Sequence, residues 1–197
     1  MNTLTPDFAA DQLFLAARTT NKFQDRGVDD AVLRRLYDLY KWGPTAMNTQ
    51  PARVVFVRSA QAKTRLASTL MEGNVEKTML APVTAIIARD SQFFEHLPAQ
   101  FPAVPHAQQL FSSNAQLAQD TAVRNTTLQG AYLILAARLV GLGAGPMSGF
   151  DPQALDREFF PEGRFKSDFL INLGYPDPAG NYPRGPRLSF EDAARIV

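Results

Sequence analysis

Five short polar clusters hold the side chains best suited to chemistry. They are Arg18-Thr19-x-Asn21-x-Phe23, Pro44-Thr45-x-x-Asn48-x-Gln50-Pro51, Asn74-x-x-Lys77, Gly145-Pro146-Met147-Ser148-Gly149-Phe150 and Arg184-x-x-Arg187. Arginine forks match phosphate oxygens in pairs. Carboxamides can donate to ring carbonyls and accept from an imide N–H. A Gly-Pro-Met-Ser-Gly turn can bring a backbone N–H up to a ring with little bulk in the way. Such a set suits a ligand with a phosphate at one end and a planar heteroaromatic ring at the other. Spacing alone does not say that the clusters converge. Taken singly, Arg18, Lys77, Arg184 and Arg187 read as solvated surface charges, and Asn48 and Gln50 as turn residues.

Other chemistries lack their residues. The chain has no cysteine, so disulfides, thiolate nucleophiles and Cys-based metal sites are excluded. Its two histidines, His96 and His106, have no metal-like spacing, and no metal ligand is expected. No G-x-S-x-G elbow and no P-loop lysine motif occur. "GLGAGP" (141–146) has three glycines, but it follows an apolar helical run instead of a strand and misses the third-glycine spacing of a dinucleotide fingerprint. Those glycines are expected to end a helix and let the backbone pass close to something flat. The net charge of +1 comes from interspersed charges, which argues against nucleic acid as a partner. The start of the chain does not read as a signal peptide, and "GAYLILAARLVGL" (130–142) is too short and carries Arg138, so no membrane partner is expected and the cytoplasm fits best.

The elements that must position the clusters follow from periodicity. Residues 7–17 read as a short helix with Phe8, Leu13 and Phe14 as its apolar contacts. Val32, Leu33, Leu36, Leu39 and Tyr40 share one face of a helix over about 29–42, stopped by Gly43-Pro44. "RVVFVR" (53–58), "VTAIIAR" (83–89) and "DFLINLGY" (168–175) read as strands. Ser59 is placed to cap a helix running to about 71, and "NVEKTMLA" is a shorter helix closed by Pro82. The proline- and aromatic-rich stretch "FFEHLPAQFPAVPH" reads as an exposed excursion. Trp42, Phe93, Phe94 and Phe101 read as packing residues more than as stacking surfaces. Ser113-x-x-Gln116 resembles a capping box at the start of a long helix over about 114–140. Asp151-Pro152 opens another helix, and the proline-rich tail ends in a brief one. With 197 residues, 45% of them apolar, the chain is expected to form one α+β domain over 1–197.

"KWGPTAMNTQPAR", "GNVEKTMLAPVTAI", "GPMSGFD", "LINLGY" and "PRLSFE", in that order, give the chain a resemblance along essentially its whole length to the nitroreductase family of FMN-dependent oxidoreductases. Within it, they look like the malonic semialdehyde reductases of bacterial pyrimidine utilisation. The resemblance implies a central mixed sheet flanked by helices, an intertwined homodimer and FMN at the subunit interface. It places Arg18, Thr19 and Arg184 at the phosphate, with Asn21 where many members carry a basic residue and Arg187 as a possible compensation. It places Pro44, Thr45 and Asn48 along the ring and ribityl chain, with Gln50 less directly involved. Asn74 and Lys77 fall at the pyrimidine end. Pro146, Met147, Ser148 and Gly149 form the turn against the ring, with the Ser148 N–H facing N5; many relatives have an acidic residue there.

The implied activity is ping-pong hydride transfer, with NAD(P)H as co-substrate and a small molecule as acceptor. No dedicated catalytic side chain is implied. Malonic semialdehyde, reduced to 3-hydroxypropionate, is the acceptor the subgroup points to. Arg124 or a residue of 93–110 could hold its carboxylate. A nitroaromatic or quinone reductase is the alternative within the enzyme class, and a non-catalytic flavin-binding protein the alternative outside it.

Overall fold

A computed structural model describes residues 6–197. Helix α1 (Pro6–Ala10) runs straight into a wider π turn over Asp11–Leu15. The expected apolar anchors Phe8 and Phe14 are 55% and 57% exposed, so this helix does not bury them within its own chain. Helix α2 (Asp30–Tyr40) buries Leu33, Leu36 and Tyr40 on the predicted face and ends before Gly43-Pro44. Strand β1 (Ala52–Val57) leads to α3 (Ala60–Ala67), capped by Ser59, whose Oγ accepts from the Ala62 N–H. Helix α4 (Glu72–Leu80) and strand β2 (Val83–Asp90) flank Pro82.

The stretch read as an exposed excursion instead folds back on itself. A 3₁₀ turn over Phe93–His96, α5 (Leu97–Gln100) and α6 (Ala107–Ser112) bury Phe93, Leu97, Ala107 and Phe111 with Ala118 and Ala122. Phe93 meets Phe94 and Phe111 edge-on. Its aromatics are therefore a small core of their own, each fully buried side chain contributing about 1.5–3 kcal/mol. Trp42, by contrast, is 80% exposed and packs into no core of this chain.

Helix α7 (Ala115–Leu139) crosses the molecule. Its cap is Asn114, which accepts from the Leu117 N–H, and not Ser113, whose hydroxyl bonds back to Gln109 O. At its other end Gly141 adopts φ 81°, the Leu142 N–H reaches Ala137 O and the Gly141 N–H reaches Arg138 O, a Schellman ending. Gly143 and Gly145 then enter a strand absent from the sequence reading, β3 (Gly143–Met147). Helix α8 (Pro152–Phe159), capped by Asp151, strand β4 (Phe165–Gly174) and α9 (Phe190–Ala193) complete the order.

The sheet runs β1-β2-β4-β3, every pairing antiparallel. Its expected mixed character comes down, among the described residues, to a parallel bridge between Thr19 and Ala144. Strand alternation divides the core in two. Val83, Ala85, Ile87, Ile171 and Leu173 pack with α2 and α7, whereas Ile86, Ala88 and Leu170 pack with Leu66 of α3 and Leu155 of α8.

Candidate functional site

Three groups of the predicted residues occupy defined places. In the first, Arg18, Thr19, Asn21, Arg184 and Arg187 line a cavity of about 560 Å³ together with Arg138, which the sequence reading treated only as a stray charge in an apolar helix. Among the described residues its walls contain four arginines and no carboxylate. Arg18 Nη1 donates to Ala16 O at 3.2 Å and Ala17 O at 3.0 Å; Arg184 Nη2 donates to Ala17 O at 3.0 Å and to Leu15 O. Arg138 reaches Leu13 O. The arginines thus gather on the free carbonyls at the end of the π turn, where the helix dipole is negative. Among the described residues none of the four is in an ion pair. Burial and, after it, the neighbouring Arg184 pull Arg138 below its ordinary value. Arg187 turns back onto Gly185 O and Pro186 O, and Asn21 onto Thr19 O. A lone charge near the end of the apolar run 130–142 was the sequence signal for Arg138: such a group must find an anion or a set of carbonyls.

The second group joins α4 to the turn after β3. Asn74 Nδ2 donates to Gly149 O at 2.8 Å, and the Met71 N–H reaches the same oxygen at 3.0 Å. A Cβ on Gly149 would lie 2.2 Å from Asn74 Nδ2, so only glycine admits this contact. Pro146 and Ser148 are exposed while Met147 is buried, its sulfur accepting from the Thr78 hydroxyl. The Ser148 N–H and the Lys77 ammonium have no hydrogen-bond acceptor among the described residues. This face therefore offers a free N–H, an amide and a free cation.

The third group, Pro44, Thr45 and Asn48, stands apart: no hydrogen bond joins it to the other two. Its loop is strained and externally held. Met47, Asn48 and Gln50 have φ of 49°, 51° and 41°, a left-handed region in which side chains other than glycine are disfavoured. Two buried amides of α7 hold it, Asn125 Oδ1 accepting from the Ala46 N–H at 2.8 Å and Gln129 Oε1 from the Ala52 N–H at 2.9 Å. Tyr132 donates its hydroxyl to Pro44 O at 3.0 Å, and Thr45 Oγ1 accepts from the Gln50 N–H at 3.2 Å. Asn48 donates to Gln100 O at 2.8 Å and accepts from Gln50 Nε2 at 2.9 Å, so both ends of its amide are occupied within the chain. Asn125 and Gln129 escaped the sequence reading although they lie four apart in the long helix, a spacing that puts two carboxamides on one face. Arg124, His96 and His106 are exposed and belong to none of the three groups.

The sequence profile described as "Nitroreductase family" matches residues 15–174. A protein of Burkholderia lata provisionally named NADH dehydrogenase/NAD(P)H nitroreductase is 58% identical over 196 residues, covering 100% of both chains. Among solved structures, a nitroreductase family protein from Streptococcus pneumoniae superposes with a TM-score of 0.77 at 25% identity, over 92% of this chain and 96% of that one. A protein from Exiguobacterium sibiricum, provisionally described as a nitroreductase and solved in complex with FMN, gives a TM-score of 0.83 at 19% identity, over 94% and 96% of the two chains.

Proposed function

The chain belongs to the nitroreductase family, and on that premise we propose that it is an FMN-dependent NAD(P)H oxidoreductase acting as a homodimer, with residues 1–197 as one unit. The observation that carries the reading is the acid-free cavity walled by four arginines, set in the same chain as a turn with a free N–H. The donor set fits the cofactor. A dianionic phosphate would replace the carbonyls that now satisfy Arg18, Arg138 and Arg184, and would relieve the mutual repulsion of Arg138 and Arg184.

FMN, when bound, supplies the hydride relay between NAD(P)H and a second substrate. The protein's part is positional and electrostatic. Arg18, Arg138 and Arg184 hold the phosphate, with Thr19, Asn21 and Arg187 along the rim. The Ser148 N–H, backed by Pro146, Met147 and Gly149, meets the ring edge. Asn74 is held in place by Gly149 O, and the unpaired Lys77 offsets negative charge at the pyrimidine end. Pro44, Thr45 and Asn48, apart from the rest within one chain, would border the ring from the second subunit. Exposed apolar residues support pairing: Trp42, Leu188, Phe190 and Ile196 are 57–91% exposed.

The acceptor we assign, on the likeness of the five motifs, is malonic semialdehyde. A nitroaromatic acceptor is the second reading, favoured by the name of the Burkholderia lata relative. The test is anaerobic: NADPH should bleach the flavin of the purified protein, and each acceptor is then scored by the rate of reoxidation. Reoxidation by malonic semialdehyde at least tenfold faster than by nitrofurazone or menadione supports the first reading, and the reverse order supports the second. A flavin that stays oxidised under both NADH and NADPH rules out both. A monomer that retains FMN at micromolar concentration would refute the two-subunit site.

A further inference from the structure

The core between the sheet and helices α3, α4 and α8 contains a cation without an anion. Lys63 of α3 is 4% exposed, and its Nζ donates to Thr78 O at 2.8 Å and Thr84 Oγ1 at 2.7 Å. The sequence gives a local reason. Thr78 lies four residues before Pro82, so the N–H that would take its carbonyl in a continuing helix does not exist. Lys63 fills that position.

The hydrogen bonds then run on through the core. Thr84 Oγ1 donates to Asn172 Oδ1 at 2.7 Å, Asn172 Nδ2 to Thr78 Oγ1 at 3.3 Å, and Thr78 Oγ1 to Met147 Sδ at 3.7 Å. All three polar residues are essentially inaccessible. The chain begins at a buried ammonium and ends at the sulfur of the turn that carries Ser148, passing beside Lys77 on α4.

No carboxylate among the described residues pairs with Lys63. It shares the wall of a cavity of about 820 Å³ with Asp25, Asp29 and Asp177 and with Lys22, Arg26 and Arg58, and none of these carboxylates lies within ion-pair distance of it. Burial lowers the Lys63 ammonium to about 8, which leaves it mostly protonated at pH 7. A carbonyl can be satisfied by a neutral donor at far smaller desolvation cost. Lys63 therefore puts a buried positive charge at one end of the hydrogen-bond chain whose other end is Met147.

We propose that Lys63 is an internal positioning residue of the flavin site: acting through Thr84, Asn172, Thr78 and Met147, it holds α4 against the 146–149 turn and favours the reduced, anionic form of the cofactor over the oxidised, neutral one. The inference rests on the FMN reading above. It adds to Lys77 a second cation, linked to the ring-side turn through that hydrogen-bond chain and shielded from solvent.

The test compares the midpoint potential of bound flavin, read by equilibration with a reference dye, in wild type and in Lys63→Met, alongside the affinity of each for oxidised FMN. The affinity for reduced FMN should fall about tenfold more than that for oxidised FMN, which for a two-electron couple lowers the potential by about 30 mV. Equal weakening of both forms, or an unchanged potential, overturns the proposal. If Lys63→Met does not give folded protein, Lys63→Gln removes the charge, keeps an N–H for Thr78 and is judged by the same comparison. A wild-type protein that binds no FMN would overturn the flavin reading itself and the Lys63 role with it. That result is distinct from a failure confined to the variants.

Discussion

Replacing Asp90 by asparagine probes the contact that ties the aromatic cap, the small core built on residues 93–112, to the sheet. Asp90 ends β2 and is fully buried. Its carboxylate accepts from Arg164 Nε at 2.7 Å and Nη2 at 3.0 Å, from Arg53 Nη2 at 2.7 Å and from the Gln92 N–H at 2.9 Å. Arg164 also reaches Glu95 at 2.8 Å, so one guanidinium links β2 to the turn that opens the cap. Removing one member of a buried ion pair costs about 3–5 kcal/mol. The Arg53 and Arg164 side chains are 28% and 32% exposed and can regain water, so the lower end, about 3 kcal/mol, applies. With a urea slope of about 2 kcal/mol/M, the unfolding midpoint of Asp90→Asn should fall by about 1.5 M. Both proteins are compared at one concentration, so that self-association contributes equally to each midpoint.

The pH dependence has a definite sign. Burial pushes the Asp90 carboxyl up, but Arg164, the Gln92 N–H and Arg53 outweigh it and hold the group below its ordinary 3.8. The unfolded chain therefore takes up the proton first as pH falls. The stabilisation is complete above the unfolded value and is lost as pH drops through the folded one. The gap between wild type and Asp90→Asn should be widest near neutrality and should narrow as pH falls below the ordinary 3.8 and on through the lower folded value. A midpoint shift under about 0.5 M at pH 7, or a gap that widens in acid, would refute the assignment of Asp90 as a charged anchor.

Three further outcomes can be checked directly. Arg18→Ala and Arg138→Leu should each lower FMN affinity about 10- to 100-fold, as expected for losing a charge-assisted bond of about 1.5–3 kcal/mol, with far-UV circular dichroism unchanged; unaltered affinity in both would remove the phosphate from that cavity. Gly149→Ala should displace Asn74 and weaken FMN binding at least tenfold in a flavin-fluorescence titration, because the new Cβ would lie 2.2 Å from the Asn74 amide. Gln50→Gly should raise the thermal midpoint, since glycine relieves a φ of 41° worth about 1 kcal/mol and the lost bonds are solvent-exposed; a lower midpoint would mean that the loop depends on the Gln50 amide more than on its backbone.

The sequence alone determined what depends on near neighbours. Ser59 caps its helix and Pro152 sits in the first turn of its own as expected, Pro82 and Gly141 end theirs, and the three apolar runs of the strands lie where their composition puts them. The same local chemistry failed where distant residues decide. Gly143-Ala-Gly has no strand propensity, yet becomes β3 because β4 on one side and the Thr19–Thr20 backbone on the other offer it partners. The stretch 93–106 looked like an exposed excursion because its prolines signal turns, but its aromatics, read as packing residues, close on Ala118 and Ala122 of α7, outside any local window.

The site divides in the same way. Five motifs in order identified the family, and Arg18, Arg184, Asn74 and the 146–149 turn were legible as candidates. Only tertiary structure brought Arg138 from the end of α7 to Arg18 and Arg184, or joined Lys63 to Met147 through Thr84, Asn172 and Thr78. Those residues come from separate helices and strands, and no periodicity within one element predicts which side chains a folded core will set at hydrogen-bond distance. The crowding of polar residues in "KWGPTAMNTQPAR" has the same physical origin. A backbone held at positive φ in three non-glycine residues needs many external bonds, and α7 and the cap supply them.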